Sequence, residues 1–88
     1  MVNAMEYNVA ATMKIYLEDM NKIASVKSGI EKIAKVNSFN EEDVGFGIKI
    51  IRTVILFNDE KGGLEELEER IKAIPGVSET QVEDVSRV

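Results

Sequence analysis

From Ile48 to Phe57 the chain runs through apolar, largely β-branched residues almost without a break. That is the pattern of a strand buried at the centre of a sheet. Its two faces still separate, because neighbouring side chains on a strand point opposite ways. Ile51, Thr53, Ile55 and Phe57 carry no charge and are assigned to the face under the helices. Ile48, Ile50, Arg52, Val54 and Leu56 include a charge and are assigned to the open face. With 88 residues in all, the chain has room for one domain around that strand.

The flanking segments supply the other layers. Val9, Ala11, Met13, Ile15 and Leu17 alternate with Ala10, Thr12, Lys14 and Tyr16, which predicts a strand with one dry face. Ile23, Val26, Ile30 and Ile33 recur at helical spacing, with Asn21 placed to cap the helix start. Gly29 inside that helix costs about 1 kcal/mol relative to alanine. Val36 to Glu41 reads as a short strand, polar enough for a sheet edge. Gly45-Phe46-Gly47 is a glycine-flanked turn into the central strand. Asn58 to Gly63 is another turn. Leu64, Leu67, Ile71 and Ile74 mark a second helix, acidic at its first turn and basic at its last, as the helix dipole favours. Pro75-Gly76 ends it. Val77 to Val85 is the last strand, with Thr80 and Val82 on one face. Residues 1–7 read as a flexible N-terminal tail and 8–88 as the single domain.

The order strand, helix, strand, strand, helix, strand predicts an α+β, ferredoxin-like βαββαβ sandwich. Right-handed crossovers put both helices on one face of a four-stranded antiparallel sheet and make the first and third strands central. Those are the two most apolar strands.

Composition narrows the chemistry. The chain has neither cysteine nor histidine, so disulfides and thiolate metal sites are excluded. The usual base near neutral pH and the commonest metal ligand are also missing. No bond-making activity, metal site, cofactor or tightly held small molecule is expected. A net charge of −5 suits phosphate backbones poorly. An RNA-binding sheet is disfavoured further, because Tyr16 is the one aromatic assigned to the open face. No apolar run is long enough to span a membrane, and no signal peptide is visible. The expected location is the cytoplasm.

Four local features invite a functional reading. Glu41-Glu42-Asp43 could contribute to a metal site, but adjacent strand residues diverge, so solvated charge is the simpler reading. Gly62-Gly63 precedes a helix as a phosphate cradle would, yet Lys61 precedes the glycines and Glu65 and Glu66 follow, which fits a plain turn. Phe46 stands either as an exposed aromatic anchor or folded down over the end of the core. Arg87 is a cation at the chain end, where a frayed terminus with a solvated side chain is the default.

The segment EEDVGFGIKIIRTVILFNDEKGG resembles the central region of the translation elongation factor 1-beta family, and IPGVSETQVEDVSRV resembles that family's last strand. The likeness runs in order and spacing over residues 8 to 88 and corresponds to the short archaeal form, without the additional N-terminal regions of eukaryotic members. It implies exchange of GDP for GTP on the GTPase elongation factor 1-alpha, with no bond made or broken in the nucleotide. It also implies a two-ended grip. Phe46, between Gly45 and Gly47, would engage the second domain of the GTPase. Arg87, with Val88 beside it, would approach the magnesium site. Eukaryotic members have lysine where this chain has Arg87; the charge is kept, but the geometry differs. The runner-up is a regulatory ferredoxin-like module that binds a small ligand or dimerises through an apolar open face.

Overall fold

In a computed structural model that describes residues 7–60 and 63–88, the strand order is β2-β3-β1-β4, antiparallel throughout. The elements are β1 (Val9–Leu17), α1 (Ile23–Ile33), β2 (Lys35–Gly45), β3 (Ile48–Phe57), α2 (Leu64–Lys72) and β4 (Val77–Arg87). This is the ferredoxin-like arrangement, with the apolar strands β1 and β3 central and both helices on one face.

The core lies between that face and the helices. Val9, Ala11, Met13 and Ile15 of β1 meet Ile51, Ile55 and Phe57 of β3 under Val26, Ile30 and Ile71. Thr53 is the buried polar member of this layer, and its hydroxyl donates to the Ser38 carbonyl at 2.9 Å, which removes the cost of burying it. Gly29 has a packing reason: a Cβ there would come within 3.1 Å of Ile74 Cγ2, so the glycine lets Ile74, two residues past the end of α2, sit against α1.

Four expectations need correction. The side chain that caps the helical start is Asp19, two residues before Asn21. A 3₁₀ turn at Met20–Lys22 leads into α1, and Asp19 Oδ1 accepts the Asn21 N–H at 2.9 Å. Second, β2 extends to Gly45, because its acids find partners: Glu41 pairs with Lys27 and Lys49, and Glu42 with Arg52. Third, Ile50 is buried although it belongs to the open face, where it stands between Tyr16 and Glu42 in register. Finally, β4 runs to Arg87 and not to Val85. The N-terminal tail falls outside the described residues for positions 1–6, as do Lys61 and Gly62 of the glycine turn.

Candidate functional site

Gly45 pairs with Ile48, which leaves Phe46 and Gly47 as a two-residue turn between β2 and β3. Gly45, Phe46 and Gly47 have φ of 99°, 57° and 73°. Positive φ at both turn residues is what a type I′ hairpin demands, since its twist matches that of the strands. Glycine takes such angles freely. Phenylalanine does not; the left-handed region costs an L-residue about 1–2 kcal/mol. Packing returns nothing for that strain, because Phe46 is 103% exposed. The ring therefore does not fold over the core. An aromatic that strains the backbone and stands bare has its justification outside the fold.

The hairpin is braced beneath the ring. Asp43 Oδ1 accepts the Gly45 N–H at 2.8 Å, and the Met20 thioether accepts the Lys49 N–H at 3.1 Å. Val44 and Ile48 flank the turn, each about half exposed, so the tip is an apolar knob on a held stem.

Arg87 and Val88 lie at the other end of the sheet. Val9 faces Phe57 on one side and Arg87 on the other. Asn8 ties these strands together: its N–H donates to the Phe57 carbonyl at 3.1 Å, and its carbonyl accepts the Val88 N–H at 3.2 Å. The chain end is thus part of the ladder and not a frayed terminus. The Arg87 guanidinium lies 3.2 Å from Asp59 Oδ2. Asp59, in the turn after β3, is itself clamped by Asn8. Asn8 Nδ2 donates to Asp59 Oδ1 at 2.9 Å, and the Asp59 N–H donates to Asn8 Oδ1 at 3.1 Å. With the Arg87 side chain 74% exposed, this ion pair contributes at most about 1 kcal/mol.

The five candidate residues accordingly form two tips and not one pocket. Phe46, Gly45 and Gly47 lie beyond the start of β3, while Arg87 and Val88 lie level with its end. Ten strand residues separate those ends, roughly 30 Å at ~3.3 Å per residue. The tips also sit at diagonal corners, since the hairpin includes one edge strand, β2, and β4 is the other.

Between the tips, charge is paired across the sheet. Arg52 faces Glu83 at 3.0 Å and Glu42 at 3.6 Å, and Lys14 faces Glu83 at 3.4 Å. This chain of ions crosses all four strands on the open face. Its sequence signal was Arg52, the charge among the open-face residues of an apolar run. Lys27 donates to Glu41 at 2.7 Å and holds that carboxyl below its ordinary range, first through this hydrogen bond and then through its charge. Glu41-Glu42-Asp43 is therefore spent on ion pairs and a turn. Among the described residues no group of three acids, histidines or cysteines could hold a metal ion. None of their helices is long and apolar enough to cross a membrane.

Residues 10–88 match the family model described as the EF-1 guanine nucleotide exchange domain. The chain is 37% identical to elongation factor 1-beta of Aeropyrum pernix over 86 residues, 91% of this chain and 96% of that protein. It is 36% identical to elongation factor 1-beta of Thermoplasma acidophilum, covering 92% and 98% respectively. For the protein of that name from Methanococcoides burtonii the identity is 37%, covering 90% and 94%. Among solved structures, the ACT domain from GTP pyrophosphokinase of Chlorobium tepidum aligns with a TM-score of 0.64 at 16% identity, over 86% of this chain and 99% of that one. The C-terminal domain of the MgtC protein from Mycobacterium tuberculosis aligns with a TM-score of 0.62 at 14% identity, over 99% and 94%. At such identities these two show a shared fold alone.

Proposed function

Because the chain belongs to the EF-1 guanine nucleotide exchange domain family, we propose that it works on elongation factor 1-alpha from both tips at once. It is a guanine-nucleotide exchange factor for that GTPase: it promotes GDP release and GTP reloading during translation elongation, which sets its work in the cytoplasm. The hairpin tip with Phe46 docks on the GTPase. The β4 tip brings Arg87, with Val88, to the edge of the magnesium and nucleotide site. The observation that carries this reading is Phe46 itself, wholly exposed on a backbone that glycine would occupy with less strain.

The chemistry is linkage. Mg²⁺ bridges phosphate oxygens and protein ligands, so it holds much of the nucleotide's affinity. A cation brought close to it disfavours Mg²⁺ by like-charge repulsion. A factor that binds the nucleotide-free GTPase more tightly must weaken nucleotide binding by the same ratio. GTP rebinding then expels the factor, and cellular nucleotide levels set the direction.

A regulatory ligand-binding or dimerising module is not favoured. The open face that would pair in such a dimer has Ile50 already covered and is crossed by the Glu42–Arg52–Glu83–Lys14 ion chain. Magnesium titration tests the proposed role of Arg87. Arg87→Ala slows GDP release most at high Mg²⁺, and the defect shrinks when Mg²⁺ is chelated, because the assisted step has then already happened. A defect of equal size at every Mg²⁺ level makes Arg87 a docking residue only and removes the displacement step.

A further inference from the structure

We propose that Asp59 is a latch that holds Arg87 back in the free protein and gives it up when the β4 tip docks. The inference rests on the proposed role of Arg87. Asp59 follows β3 and Arg87 ends β4, with β1 between them in the sheet. To reach Asp59 Oδ2, the Arg87 side chain must cross the end of β1, where Asn8 sits. Its charge is drawn sideways over the sheet end and is not directed outward beyond the tip.

The two halves of the ion pair are unequally anchored. Asp59 is fixed by Asn8 through both its carboxylate and its backbone N–H, and neither bond involves Arg87. The guanidinium side chain is 74% exposed, and its hydrogen bond to this carboxylate is the contact that ties it down. The arginine can therefore leave while the carboxylate stays in place. Before Arg87 can act on a neighbouring metal site, this contact must open. Until it does, a full negative charge beside the guanidinium cancels the repulsion that Mg²⁺ would feel.

The test compares the unsubstituted chain, Asp59→Asn, Arg87→Ala and the double variant in catalytic GDP release from elongation factor 1-alpha. Asn at position 59 keeps an oxygen for Asn8 Nδ2 and loses the charge. Asp59→Asn is expected to speed release about two- to fivefold at subsaturating factor, the range set by an exposed ion pair. The gain is expected to vanish when Arg87 is already alanine. A gain that persists in the Arg87→Ala background comes from altered charge towards the GTPase and overturns the latch. Unchanged or slower release overturns it as well, slower release meaning that Asp59 aims the arginine. Side-chain NMR of the free protein separates failure of the latch from failure of the Arg87 role. Asp59→Asn is expected to loosen the Arg87 Nε–H on the ps–ns timescale while the backbone amide shifts of β1 and β3 hold. An Arg87 Nε–H equally mobile in both proteins overturns the latch whatever the exchange assay shows. Full exchange activity in Arg87→Ala alone overturns the Arg87 role, and the latch with it.

Discussion

Phe46 is the residue at which folding and the proposed function pull apart. Its φ of 57° suits glycine, and its ring touches nothing that folding needs. Phe46→Ala is expected to weaken the complex with elongation factor 1-alpha by ~2 kcal/mol or more, as loss of an aromatic anchor does. Phe46→Gly is expected to lose the same affinity while holding or raising the melting temperature, because the left-handed strain disappears with the side chain. Paired melts and binding titrations check both variants. A stability loss near ~3–5 kcal/mol, the range for a core aromatic, contradicts this placement of the ring. The sequence marked Gly45-Phe46-Gly47 as unusual but left the direction of the ring open. Periodicity reports which face of an element a residue takes, and a turn residue has no face to report.

Glu41 makes a different residue-scale test. Lys27 lowers its pKa from an ordinary 4.5, so the folded state binds its proton less readily than the unfolded state does. A depressed carboxylate contributes stability above its unfolded pKa and loses it as pH falls through the lower folded value. Glu41→Gln is therefore expected to cost stability at neutral pH and to flatten the acid limb below about pH 4.5. An unchanged acid limb in parallel denaturation curves contradicts the ion pair's role.

At the scale of elements, β1, α1 and α2 were legible because each carries its own period, and β3 because its apolar, β-branched run marks a central strand. The edge strands were legible only in part. The acids of β2 read as solvated charge because Lys27 and Arg52, which pair with them, come from other elements. The end of β4 looked frayed because its ladder partner, Asn8, lies at the far end of the sequence. Gly76 shows the same dependence on distant residues. Pro75-Gly76 reads as a stop signal, but Gly76 also has φ of 103° and lies against Lys22 and Val26, with 3.0 Å available to a Cβ. Gly76→Ala is expected to destabilise by about 1–3 kcal/mol, since left-handed strain and the close approach act together. At about 4–8 °C per kcal/mol for a domain of this size, thermal melting resolves that loss readily. A melt unchanged within error contradicts the packing described for the α2–β4 connection.

For the whole molecule, the determining feature is that a stiff four-stranded sheet separates the two candidate tips. The family likeness implied a two-ended grip in the sequence, while the distance between the ends and their diagonal placement came with the strand order and register. Sites this far apart, which meet different parts of the GTPase in the proposed grip, have effects that add within about 0.5 kcal/mol. The losses from Phe46→Ala and Arg87→Ala, expressed as changes in the barrier to GDP release, should therefore sum in the double variant. Strong non-additivity contradicts independent tips on a rigid span.

The central claim is exchange itself, and the release of fluorescent GDP from a cognate elongation factor 1-alpha tests it most directly. Catalytic amounts of this chain are expected to accelerate release in the presence of excess unlabelled nucleotide while leaving the rate of GTP hydrolysis unchanged. No acceleration by a chain shown to be folded contradicts the account.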